Sequence, residues 1–68
     1  MASITTIENL VQEKESIAKL LKKNLVIAQT FDRMGDKNFA NDHFSKVYIF
    51  AQRLWTIDSQ IKQAASIN

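Results

Sequence analysis

A chain of 68 residues with no cysteine and a single histidine has neither a disulfide framework nor a thiolate metal site to hold it together. A domain of that size buries only about 60% of its unfolded-chain surface, so it needs an unusually good helical core or a partner. Nine Lys and Arg against seven Asp and Glu leave a net charge of +2, too slight for the strongly basic footprint of a dedicated nucleic-acid binder, and 46% hydrophobic residues exclude compositional disorder.

The opening stretch MASITTIENL has neither the basic start nor the continuous apolar segment of a secretory signal. No apolar run approaches membrane-spanning length. Together with the lack of cysteine, these features give the expectation of a soluble, cytoplasmic protein that does not contact the membrane.

Thr5-Thr6-Ile7-Glu8 has the form of a capping box and predicts a helix from about residue 5 to about residue 34. The chain has no proline and one glycine, Gly35, which fits the left-handed position that closes a helix. A turn over residues 35–38 follows, with Asp36 or Asn38 able to cap a second helix over about 39–66. A turn this short forces an antiparallel pairing. The expected fold is all-α, a single-domain two-helix hairpin over residues 1–68 that dimerises into a four-helix bundle.

The first helix carries its main apolar stripe through Ile7, Leu10, Val11, Ile17, Ala18, Leu21, Leu25 and Ala28. This is the expected face for the second helix. Nearer the turn a second stripe, Leu20, Ile27 and Phe31, stands well round the cylinder from the first. Glu8, Gln12, Glu15, Lys19, Lys22, Lys23, Thr30 and Arg33 fill the remaining face, with a Glu15–Lys19 pair at i,i+4.

In the second helix, FSKVYIFAQRLW packs eight apolar residues between Phe44 and Trp55, and all but Ile49 fall on one arc. That arc is wider than one helix can cover. Folding the hairpin about residues 36 and 37 brings Ile7 level with Ala65, Leu21 with Phe50 and Ala51, and Ala28 with Phe44. It also brings Lys14 level with Asp58, as a paired charge should be where apolar arcs are interrupted. Asp32 is expected near His43 or Asn41.

The leftover stripes predict an interface of Leu20, Ile27, Phe31, Phe44, Tyr48 and Trp55, shared with a second copy of the chain. The basic cluster Lys19, Lys22 and Lys23, with Arg33, is the candidate nucleic-acid contact, although no base-stacking aromatics interleave with it. His43 is the one candidate general base, with Asp32 as its orienter, but no nucleophile or phosphate-cradling glycine loop accompanies it. His43, Asp32 and Asp42 supply too few ligands for a metal. The chain thus reads as non-enzymatic, without cofactor or metal. Its expected role is a small protein-binding or regulatory module that docks on a larger protein. The alternatives are a dimeric nucleic-acid-binding regulator and a subunit of a hetero-oligomeric helical assembly.

Overall fold

The computed structural model describes residues 4–66, which form two helices, α1 (Ile4–Arg33) and α2 (Lys37–Ser66), packed against each other. The hairpin is a rod of 52 × 14 × 11 Å between Cα extremes.

Gly35 makes the turn possible. Its φ of +89° lies in the left-handed region, which costs a side-chain-bearing residue but not glycine. With the chain reversed there, the Asp36 amide donates to the Phe31 carbonyl at 3.0 Å and the Gly35 amide to the Asp32 carbonyl at 3.1 Å. This is the Schellman arrangement, and it satisfies carbonyls that the end of α1 would otherwise leave unpaired. Asp36 then caps α2, because its carboxylate accepts from the Phe39 amide at 3.1 Å. Of the two caps considered, Asp36 serves and Asn38 lies inside the helix. A Lys37–Asp32 ion pair also spans the turn.

The start of α1 differs from the capping-box expectation. Thr5 is already helical, as is Ile4 before it, so Thr5 is not the cap. Local boundary signals fix helix ends only to within a residue or two.

Burial follows a seven-residue rhythm. In α1 the buried or half-buried column is Ile7, Leu10, Lys14, Ile17, Leu21, Asn24, Ala28 and Phe31, and in α2 it is Ala40, His43, Val47, Phe50, Leu54, Ile57, Ile61 and Ala64. Steps alternate between three and four residues throughout, the a/d pattern of an antiparallel coiled coil. The seam is narrower than the stripes suggested. Val11 and Ala18, placed on it from the sequence, are exposed flankers, and among the described residues Ile17, Ala28, Ala40 and Ile57 are the buried apolar ones.

The register has a direct marker. Lys14 Nζ lies 2.6 Å from Asp58 Oδ1, so the two charges predicted to be level form an ion pair. Close to the turn, the partner of the Asp32 carboxylate is Lys37. His43 instead directs Nδ1 to the Phe39 carbonyl at 3.1 Å, a contact that needs the proton on Nδ1. Its ring stacks on Phe39 at 4.7 Å, and Phe39 in turn packs on Phe31 at 4.2 Å. This aromatic column closes the core at the turn.

Candidate functional site

Two contacts determine which flanks of the helices meet. Lys14 in the seam reaches Asp58, which immediately follows a seam residue, and Phe31 in the seam stacks on Phe39, which immediately precedes one. Residues that follow the seam therefore share one side of the hairpin in both helices, and residues that precede it share the other.

The first side is apolar. Val11, Ala18 and Leu25 of α1 lie beside Phe44 and Ala51 of α2, with Tyr48 and Trp55 on the adjoining strip of α2. Trp55 is 74% exposed and Tyr48 65% exposed. A Gln52 side-chain amide donates to the Tyr48 hydroxyl at 3.1 Å. Lys14 and Asp58 edge this aromatic face as an internally neutralised pair, their side chains 44% and 45% exposed.

The second side is cationic. Leu20 and Ile27 of α1 face it, together with Lys46 and Arg53 of α2, and Lys23 and Ile49 lie on its outer strips. Leu20 is 46% and Ile49 57% exposed, so this side also has apolar surface, but scattered among like charges.

The six residues expected to form one interface are therefore divided. Phe44, Tyr48 and Trp55 share the aromatic face, Leu20 and Ile27 look the opposite way, and Phe31 is committed to the core through Phe39. The sequence reading missed Phe39 in this role and passed over Val11, Ala18, Leu25 and Ala51 as interface residues. Their signal was present as the third apolar position of each heptad, beside the two that make the seam.

The basic residues also divide. Lys19, Lys22 and Lys23 lie on the outer side of α1 around Val26 and Ile27, in a shallow depression whose lining comes from that one helix. It is a dip between neighbouring side chains, not an enclosed site. Arg33 lies about 15 Å further along the axis, near Asp32 and Asp36 at the turn. Lys46 and Arg53 join the three lysines along the rod, because residues 16–31 and 43–57 contain no Asp or Glu. The middle of the hairpin is thus a band of five cations flanked by acids toward both ends. The i,i+4 pair predicted between Glu15 and Lys19 does not form; among the described residues the ion pairs are Lys14–Asp58 and Lys37–Asp32.

Among the described residues no group of three or more His, Cys, Asp or Glu side chains converges as a metal site requires. No helix there is long and apolar enough to cross a membrane. No protein-family model matches this chain, and comparison with curated proteins and with solved structures finds no similar protein.

Proposed function

We propose that the chain is a small protein-interaction module that works through its aromatic face, and that it dimerises through that face into a four-helix bundle. The observation that supports this is the surface the hairpin leaves open. A compact monomer of 7.8 kDa exposes about 4,400 Å², whereas this chain exposes 5265 Å². The excess, roughly 900 Å², is close to the 800 Å² or so that each partner contributes to a standard protein–protein interface. Large aromatics on that open surface are the side chains that most often anchor such contacts. As a bundle-forming regulator it docks on, assembles or inhibits a larger cytoplasmic protein, and it needs no cofactor for that.

Light scattering across the micromolar range tests this reading. The wild type is expected at twice its monomer mass, and Trp55→Glu, which places a charge on the aromatic face, is expected at monomer mass with its helix content kept. A wild-type monomer at all concentrations, with a melt independent of concentration, would instead assign the face to a subunit of a hetero-oligomer.

A second reading rests on the cationic band of Lys19, Lys22, Lys23, Lys46 and Arg53, which no Asp or Glu interrupts over residues 16–31 and 43–57. In that reading affinity for RNA or DNA falls steeply with salt and drops when Lys19, Lys22 and Lys23 are changed to Gln. Absence of binding at about 50 mM salt, where such contacts are strong, removes it.

A further inference from the structure

The aromatic face is nearly symmetric about its own midpoint. Ala18 and Ala51 lie about two residues, roughly 3 Å, from the same level, given the register set between the Lys14–Asp58 and Phe31–Phe39 contacts. Around each of them the sequence is arranged in the same way. On α1, Glu15 lies three residues before Ala18 and Lys22 four after it; on α2, Tyr48 lies three before Ala51 and Trp55 four after it. Val11 and Leu25 stand two turns to either side of Ala18.

We infer that the aromatic face takes a second copy of this chain in one orientation, about a two-fold axis that crosses the hairpin at Ala18 and Ala51. This inference rests on the dimer reading above and adds its geometry. The axis sets α1 antiparallel against the partner's α1, and α2 against the partner's α2, with the two turns at opposite ends of the bundle. Glu15 of each copy then lies level with Lys22 of the other, Tyr48 with Trp55, and Val11 with Leu25, while Phe44 falls level with Asp58. The alanines on the axis let the helices approach most closely where the surfaces cross, and the aromatics fill the space on either side.

The competing arrangements fare worse. An axis along the rod, with both turns at one end, sets α1 against the partner's α2. It then brings Val11 near Asp58 and Glu15 near Trp55, two charge-on-apolar contacts against the single one, Phe44 with Asp58, of the perpendicular axis. Self-association through the cationic side brings Lys46 level with Arg53, a like-charge contact. Taken as a rectangle 52 Å long and 14 Å wide, the aromatic face covers roughly 700 Å² per copy, near the area of a standard interface.

The chain has no cysteine, so single substitutions report the axis directly. Ala18→Cys and Ala51→Cys are each expected to form a disulfide-linked dimer alone under mild oxidation, because each position lies on the axis beside its own copy. Facing α carbons must approach within about 7 Å for that bond to close. If instead neither variant links by itself but an equal mixture of the two gives a mixed dimer, the axis runs along the rod and the inference is overturned. If no combination links while wild-type light scattering shows a dimer, another surface forms it, and the inference also fails. A wild-type monomer defeats the dimer reading itself. A charge exchange supplies an independent check. Glu15→Lys is expected to weaken the dimer by roughly tenfold at low salt, and adding Lys22→Glu to restore it; no restoration would contradict the pairing.

Discussion

Lys14 occupies a seam position where every heptad logic calls for an apolar side chain, and Asp58 lies beside the seam to receive it. The pair is nearly half exposed, so within a lone hairpin it contributes only about 0.2–1 kcal/mol. A pair buried among apolar side chains is worth about 1–3 kcal/mol to break. Exposure in the hairpin lowers that figure, but the pair edges the face proposed to be covered, and covering it withdraws the water that screens it. Asp58→Ala is therefore expected to cost under about 1 kcal/mol at concentrations where the chain is monomeric and about 1–3 kcal/mol where it is dimeric. The double change Lys14→Met with Asp58→Leu should recover most of the larger loss. Denaturant melts of the singles and the double at two protein concentrations check this; additive effects at both would mean the residues are uncoupled.

At the scale of the elements, Asn24 is a further polar residue of the seam beside Lys14 and His43, half-buried, with its side-chain amide donating to the Leu20 carbonyl at 2.8 Å within its own helix. A polar residue in a coiled-coil seam costs stability and restricts register. Asn24→Leu is expected to raise hairpin stability by about 1 kcal/mol in denaturant melts; a fall would mean that the amide is needed where it stands. The two helices, the Gly35 turn and the Lys14–Asp58 level were legible in the sequence, because each is encoded by local periodicity, by the single glycine or by charge. The narrow seam was not. An ideal helix drifts about 20° per heptad against a strict seven-residue repeat, so over 30 residues an arc drawn at 100° per residue merges seam and flank, which is how Val11 and Ala18 were placed inside. The division of Leu20 and Ile27 from Tyr48 and Trp55 was hidden for another reason. One helix's sequence gives the angle of a residue, but which flanks meet depends on the pairing, visible only in Lys14–Asp58 and Phe31–Phe39.

As a whole the molecule is more extended than a chain of its length needs to be. Its radius of gyration is 15.5 Å, against about 11 Å for a compact domain of this size, and among the described residues only four apolar residues are buried. Such a core is thin for independent stability. A second copy on the aromatic face supplies the missing layer, converts two helices into four and leaves Lys19, Lys23, Lys46 and Arg53 of the cationic band on the outside. Trp55, the only tryptophan of the chain, sits on that face at 74% exposure, so its fluorescence reports the covering without any label. Emission should be blue-shifted at high micromolar concentration, where the ring is enclosed, and should move to the red on dilution as the dimer parts, with helix content falling in step if the lone hairpin is marginal. Emission as red as that of the denatured chain at every concentration, with helix content unchanged, would contradict self-association through the aromatic face.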